Sequence, residues 1–241
     1  TRSNSSNPAL TFDTTVFPMV SLVDLPMGKH LLGQQIDLGT VDPPGVGLPF
    51  DAALAPDSSE IWIVNAASND LSVVDLTQYR LVAHIEVGHN PRGIVLSPGG
   101  ETAYVNNTLA GTVSVVDARA YVVTDIITVT QLPLPPALLN GKRLFHTSDD
   151  PRLAKNQWIA CNSCHFEGEH DGRTWTFAFA GPRNTTWLLG MIDTYPLRWS
   201  GEWDESADSE FANRKENFGS GLVEGEMNCT LSPPDCVHQP P

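Results

Sequence analysis

The sequence predicts a protein of the β + α class, with antiparallel sheets in residues 1–131 and a helical domain in residues 132–241. Three observations support this division. Short β-branched runs recur every 42 residues before residue 131, a proline-rich segment interrupts the chain at residues 132–136, and helix-type patterns follow it. Gly and Pro number 19 each and charged residues make up only 17%, which favours a turn-rich chain over a helical bundle.

The repeat in the first domain predicts a β-propeller. Three pairs of segments share an offset of 42 residues: Ser72-Val-Val-Asp75 with Ser114-Val-Val-Asp117, Leu54-Ala-Pro-Asp57 with Leu96-Ser-Pro-Gly99, and Ile61-Trp-Ile63 with Ala103-Tyr-Val105. Periods of about 40–45 residues are typical of propeller blades, each a four-stranded antiparallel sheet. We therefore predict a partial propeller of about 2.5 blades, with full blades at residues 50–87 and 92–128 and a half blade around residues 19–38.

The amino-acid sequence of the repeat also resembles a known family. Ala103-Tyr-Val-Asn-Asn107, followed by Gly111-Thr-Val-Ser-Val-Val-Asp117, is similar to the YVTN family of β-propeller repeats, over roughly residues 12–130. Closed propellers have about 4–8 blades, because each sheet buries its faces only against its neighbours. We therefore expect other chains, or segments outside this sequence, to complete the propeller.

Three helices are predicted after the proline-rich joint. Residues 137–146 follow a proline and carry leucines and a phenylalanine on one side, and residues 184–192 form a second candidate. In the third, residues 206–218, Phe211 and Phe218 are seven positions apart and so share a face. Helices that follow a run of strands indicate a second domain.

The composition excludes two classes of function. The net charge is −14 and no cluster of Lys and Arg is present, so we predict no nucleic-acid binding. No apolar run approaches the roughly 18 residues of a membrane span, so we predict no span.

The strongest chemical pattern is Cys161-Asn-Ser-Cys-His165, the C-x-x-C-H attachment sequence of c-type haem. The two thiols lie three residues apart on one turn and add to the two vinyl groups of the haem, and the adjacent His165 ligates the iron. A zinc site would need two further ligands at similar spacing. A redox dithiol would need a βαβ context. The sequence offers neither, so we favour one covalent haem c.

The segments around this motif resemble those of the di-haem cytochrome c peroxidase family. In order they are Asn140-Gly-Lys-Arg-Leu-Phe145, the haem motif, Asp171-Gly-Arg173, Gly181-Pro-Arg-Asn-Thr185 and Trp199-Ser-Gly201. The resemblance covers about residues 138–205. It implies a helical cytochrome c domain with Arg183 and Asn184 near the haem edge, where arginine would neutralise a propionate. A solvated surface position is the alternative for Arg183.

Two departures limit what this resemblance implies. The family carries two haem motifs and this chain has one. Where a related domain can place a distal histidine, residues 175–180 read Trp-Thr-Phe-Ala-Phe-Ala. Peroxidase chemistry therefore does not follow from the resemblance.

The sixth iron ligand is predicted separately. Met191 lies 26 residues after His165, behind a loop that contains glycine, and its thioether would raise the reduction potential. Met227, an open position and a ligand from another chain are the alternatives, and Met191 as an ordinary core residue is another. His146 and His170 are expected at the surface or at a helix end, and most tryptophans of the second domain are expected around the haem.

The remaining cysteines, Cys229 and Cys236, are predicted to form a local disulfide, which favours a periplasmic or extracellular location.

The first functional hypothesis is electron transfer to a redox partner protein, with the propeller as scaffold or docking surface. The second is one haem domain of a peroxidase-type enzyme. The third is a subunit of an assembly that stacks haems for conduction.

Overall fold

The structure, a computed structural model, describes residues 17–39, 45–177, 181–201, 203 and 206–222. Its first elements are four short strands: β1 (Met19–Val20), β2 (Val23–Asp24), β3 (Lys29–His30) and β4 (Ile36–Asp37). β1 pairs with β4 and β2 pairs with β3, both antiparallel. The half blade predicted around residues 19–38 is therefore made of two small ladders and not of one continuous sheet.

Two four-stranded antiparallel sheets follow, as the period of 42 residues predicts. The first blade contains β5 (Pro49–Leu54), β6 (Glu60–Asn65), β7 (Asp70–Asp75) and β8 (Arg80–Glu86). The second blade contains β9 (Pro91–Leu96), β10 (Thr102–Asn107), β11 (Thr112–Asp117) and β12 (Val122–Thr128). In each sheet the strands are neighbours in chain order, which is the arrangement of a propeller blade.

The backbone conformation repeats together with the sequence. Four pairs of residues with positive φ lie 42 positions apart: Leu48 and Asn90, Ser58 and Gly100, Asn69 and Gly111, and Tyr79 and Tyr121. Gly111 has φ +68°, and a Cβ at this position would lie 2.4 Å from the carbonyl oxygen of Thr130. Glycine is required there because any side chain would collide with the backbone.

The two blades pack through unlike faces. Trp62, Val64 and Leu71 on one face of the first blade form a buried cluster with Ala103 and Val105 of the second. The opposite face of the first blade packs against residues of the N-terminal segment, among them Ile36, Leu38 and Val46. The first blade is thus covered on both faces.

The outer face of the second blade is open. Tyr104 and Ile127 occupy the positions of Trp62 and Ile85, one period later. Trp62 and Ile85 are 0% and 5% exposed, whereas Tyr104 and Ile127 are 41% and 47% exposed. The described part of the chain therefore leaves an apolar sheet face uncovered at the end of the blade stack.

The second half contains fewer helices than predicted. Helix α1 (Pro136–His146) matches the first prediction, with proline at its start. Helix α2 (Cys161–Cys164) is one turn, and β13 (Thr174–Phe177) pairs antiparallel with β14 (Gly181–Asn184). Residues 206–218 form a 3-10 turn and a π turn in place of a regular helix.

The predicted helix at residues 184–192 is wrong. Asn184 ends β14, Gly190 has φ 76°, and only Met191–Asp193 forms a 3-10 turn. Two threonines follow Asn184, and such residues favour other conformations because their side chains bond the nearby backbone or lose rotamer freedom. Here the Thr185 hydroxyl donates to Asp171, 2.7 Å away. The segment is therefore held against the neighbouring loop.

The end of α1 and the residues after it contact both blades. The Ser148 amide donates to the carbonyl of Ala67 at 2.8 Å, and the Arg143 guanidinium donates to the carbonyl of Leu109 at 3.0 Å. Both acceptors lie in β-hairpin turns, at the same end of the blades. Among the described residues, no helix is long and apolar enough to cross a membrane.

Candidate functional site

The C-x-x-C-H segment forms a single capped turn. The hydroxyl of Ser163 accepts a hydrogen bond from the Ala160 amide at 3.1 Å, and the His165 amide donates to the carbonyl of Cys161 at 2.9 Å. This turn carries both thiols, which are free and not joined in a disulfide. The three chemical groups of the motif are thus presented by one rigid piece of backbone.

The ring of His165 has a defined tautomer. Its Nδ1 lies 2.9 Å from the carbonyl oxygen of Thr186, which can only accept a hydrogen bond. Nδ1 therefore carries the proton, and the lone pair is left on Nε2. Burial lowers the pKa of this imidazole, so the ring is neutral at physiological pH. A neutral histidine whose second nitrogen donates to a carbonyl is the usual arrangement of a metal ligand.

The thiols have properties unlike those of a reactive dithiol. Burial raises the pKa of Cys161 and of Cys164, and the nearby carboxylate of Asp171 adds to the effect at Cys164. A redox-active dithiol is stabilised as a thiolate, which requires the opposite shift. The described residues also contain no group of three or more His, Cys, Asp or Glu side chains arranged to hold a metal ion.

These residues line a cavity of about 970 Å³. This volume is at the upper end of the range for small-molecule and cofactor sites. All six residues predicted for the site lie on its walls: Cys161, Cys164, His165, Arg183, Asn184 and Met191. Four tryptophans also line it: Trp175, Trp187, Trp199 and Trp203. The structure therefore brings the predicted site residues together, although the helix expected to carry two of them is absent.

Arg183 and Asn184 belong to β14. The carbonyl of Asn184 accepts from the Trp199 indole at 2.6 Å, and its side-chain oxygen accepts from the Thr174 hydroxyl at 2.6 Å. Asn184 thus supports the cavity wall. One guanidinium nitrogen of Arg183 donates to the carbonyl of Pro182, and the group places a positive charge at the cavity.

Met191 lies on the 3-10 turn after Gly190. Its amide donates to the carbonyl of Leu188 at 3.2 Å, and its side chain is partly buried at the cavity wall. Its role as an iron ligand stays a prediction. The other methionine considered, Met227, and the predicted Cys229–Cys236 disulfide lie outside the described residues.

Asp171 organises the wall beside the motif. Its carboxylate accepts from the Thr185 hydroxyl at 2.7 Å, the Trp175 indole at 2.9 Å and the Arg173 amide at 3.0 Å. These bonds join the loop after His165 to β13 and to the segment that presents the Thr186 carbonyl. Sequence analysis did not name Asp171 as a site residue, although it belongs to the Asp-Gly segment quoted above. Thr186 contributes a backbone group, which no side-chain pattern could reveal.

The two histidines near the motif differ in environment. His146 was expected at a helix end or at the surface, and it ends α1, but it is buried and lines the cavity. Its Nδ1 lies 2.8 Å from the carbonyl oxygen of Lys142, so this nitrogen carries the proton, and burial lowers its pKa. His170 is exposed, as expected, with its ring 5.6 Å from that of Trp187.

Comparisons with known proteins give limited information. No protein-family model and no curated protein matches the chain. Among solved structures, hydrazine synthase of Kuenenia stuttgartiensis is similar over 40% of this chain and 27% of its own length, with 27% identity and a TM-score of 0.36. Dihydro-heme d1 dehydrogenase NirN in complex with DHE is similar over 45% of this chain and 22% of its own length, with 21% identity and a TM-score of 0.36. The matched part, less than half of this chain, spans about a quarter of each of these proteins, and at such scores the likenesses carry no functional assignment.

Proposed function

We propose that this chain binds one haem c through Cys161 and Cys164, ligates its iron through His165, and transfers electrons outside the cytoplasm. The observation that carries the proposal is the position of His165. Its Nδ1 is tied to the Thr186 carbonyl, and it lies with both thiols on the wall of one large cavity. A C-x-x-C-H sequence combined with this ring geometry supports haem attachment over the alternatives.

The surrounding residues fit such a group. Two reduced thiols three residues apart on one turn match the two vinyl groups of a haem, with which they would form thioethers. The tryptophans of the cavity wall would offer apolar surface to a haem, and contact with them would raise its reduction potential by lowering its exposure to water. Arg183 would supply a cation for a haem propionate, and Asn184 supports the neighbouring cavity wall. When bound, the haem would supply a one-electron redox centre. The protein would hold it, orient it and set its potential.

The proposal is tested by intact mass, iron content and absorption spectra of the protein produced in a host that attaches haem c. We expect one haem per chain that remains bound after denaturation and extraction with acidified acetone. Cys161→Ala with Cys164→Ala should release the haem under the same extraction. His165→Ala should keep the thioether-bound haem and change its spectrum. Protein that contains zinc, or two free thiols and no iron, would refute the assignment.

The sixth iron position separates electron transfer from peroxidase chemistry. A saturated low-spin haem transfers electrons, whereas an open position admits peroxide. Met191 supports the first of these, because its thioether is a side chain of the same cavity wall. If Met191 ligates the iron, Met191→Ala should abolish the sulfur-to-iron charge-transfer band. A wild-type spectrum of an open high-spin haem would favour the peroxidase-type function.

We also propose two kinds of partner. The first is a redox protein, which the acidic net charge of −14 would steer if its surface is basic. The second is a further four-stranded sheet of the same repeat, on the open face of the second blade. The equivalent face of the first blade is buried against the next sheet, which supports the same packing at Tyr104 and Ile127.

A further inference from the structure

The turn that follows the proposed iron ligand is held by both blades. Phe50 lies in β5 and Arg92 in β9, and the two are separated by 42 residues, so they occupy the same position in consecutive blades. The ring of Phe50 stacks on Phe166, with centroids 6.3 Å apart and planes inclined by 21°. The guanidinium of Arg92 donates to the carboxylate of Glu167 at 2.5 Å. These contacts reach the two residues immediately after His165.

The turn itself is tightly constrained. Glu167 has φ 54°, a left-handed conformation that is unfavourable for a residue with a side chain. Its amide donates to the side chain of Asn162, inside the C-x-x-C-H motif, at 2.8 Å, and the amide of Gly168 donates to the carbonyl of His165 at 2.9 Å. Such a conformation persists where the surroundings hold it in place. Phe50 and Arg92 supply two of those holding contacts from outside the second domain.

The same contacts place a charge pair near the haem site. The guanidinium carbon of Arg92 lies 5.0 Å from the centre of the Phe50 ring, so the two blade residues also contact each other. Nε2 of His146, which lines the cavity, is 3.8 Å from the carboxylate oxygen that Arg92 binds. Side chains from the first blade, the second blade and α1 therefore converge on the residues that follow His165.

We propose that the two blades act as a clamp on this turn, in which Phe50 and Arg92 are positioning residues that fix His165. Arg92 also balances the negative charge of Glu167, which lines the cavity proposed for the haem. This inference rests on the proposed haem. Under this proposal the propeller influences the reduction potential of the haem in the neighbouring domain, which is a role beyond that of scaffold or docking surface. Arg92 acts through Glu167 and is not itself an iron ligand.

The charge balance gives predictions of opposite sign. Ferric haem carries one more positive charge than ferrous haem, so an uncompensated carboxylate nearby favours the ferric state. Arg92→Gln should therefore lower the reduction potential, and Glu167→Gln, which leaves Arg92 unpaired, should raise it. The double variant should lie close to the wild type. Arg92→Lys keeps the positive charge, so its reduction potential should stay close to that of the wild type.

The experiment is a spectroscopic redox titration of the intact haem-loaded chain and these variants. Arg119→Gln is the matched control, because it removes the same charge from the same blade, where Arg119 is exposed and pairs with Glu101. It should leave the potential unchanged. Phe50→Leu should alter the ferric spectrum by loosening the turn while leaving the haem content unchanged.

Haem content distinguishes failure of this inference from failure of the proposed function. Wild-type protein without haem would refute the proposed function. Haem-loaded protein in which Arg92→Gln and Glu167→Gln leave the potential unchanged, or shift it in the same direction, would overturn the clamp. A same-direction shift would indicate general loosening of the fold, because only charge balance predicts opposite signs.

Discussion

At the scale of single residues, one hydrogen bond decides what His165 can do. The carbonyl of Thr186 fixes the proton on Nδ1 and leaves Nε2 as the donor atom for a metal. That carbonyl is held in place indirectly, since Thr185 is bonded to Asp171. The state of this imidazole thus depends on a carboxylate that is not among the residues lining the cavity.

Asp171 gives the first residue-scale prediction. Asp171→Ala removes three hydrogen bonds to a carboxylate, and we expect it to lower the free energy of unfolding by about 2–3 kcal/mol, because bonds to charged groups are stronger than neutral ones. Thr185→Ala removes only one of them and should cost about 1 kcal/mol. Chemical unfolding measures both. Equal effects of the two substitutions would contradict the central position of Asp171.

Asp70 gives a pH-dependent prediction. Burial raises its pKa, and the side chain of Asn65 donates to it. In the second blade Thr112 takes the same position and accepts from Asn107 at 3.1 Å without a charge. Asp70→Thr should therefore keep the hydrogen-bonding pattern, remove the buried charge and raise the free energy of unfolding at pH 7 by about 1 kcal/mol.

The sign of the pH dependence follows from the same shift. The folded protein binds the Asp70 proton more tightly than the unfolded chain does. This residue's contribution to stability therefore falls as the pH rises from the pKa of Asp70 in the unfolded chain towards its higher pKa in the folded protein. Unfolding measured across that window should show this loss in the wild type and not in Asp70→Thr. Parallel pH profiles for the two proteins would contradict the prediction.

At the scale of elements, sequence analysis succeeded where the determining interactions are local. The blades were predictable because their strand and turn segments recur after 42 positions, as Ser72-Val-Val-Asp75 does at Ser114-Val-Val-Asp117. Helix α1 was predictable from its proline and its apolar side. The helix at residues 184–192 was not, because β14 is selected by pairing with β13, and Thr185 is held by Asp171. The site residues could be named from the motif and its flanking segments, but their supporting contacts could not.

Two glycines provide a matched test of the elements. Gly111 has φ +68° and a backbone oxygen where its Cβ would lie. Gly141 lies inside α1 on the cavity wall, and in the haem-free chain a Cβ there would have no atom within 4 Å. Gly111→Ala should lower the free energy of unfolding by about 1–3 kcal/mol. Gly141→Ala should raise it by about 0.5–1 kcal/mol, because alanine favours helix. Thermal unfolding of the pair is the measurement, and a stabilising Gly111→Ala would show that the turn is not under this constraint.

At the scale of the whole molecule, the open face of the second blade is the dominant feature. Tyr104 and Ile127 are exposed at the positions where the first blade buries Trp62 and Ile85, and Val95 on the neighbouring strand is exposed too. Exposed apolar side chains grouped on one sheet face are typical of an interaction surface. We expect the chain to associate through it as concentration rises, when no other sheet covers it.

Sedimentation velocity over a range of concentrations tests this expectation. Tyr104→Glu combined with Ile127→Glu should shift the chain towards a single species with the mass of one chain. Leu25→Glu is the control, because Leu25 is 84% exposed in the N-terminal unit, away from this face. A wild-type chain that stays monomeric at every concentration would show that this face does not mediate self-association.

The equivalence of Phe50 and Arg92 has a consequence for how such an architecture can diversify. Duplication of a blade copies a contact position at a fixed spacing along the chain. The residue at each copy of that position can then be substituted independently. One copy here is aromatic and the other is cationic, and they hold adjacent residues of one turn. A ring of further blades would present the same position several times around its rim, so a neighbouring domain could be retuned by exchanging single rim residues without altering the sheets beneath them.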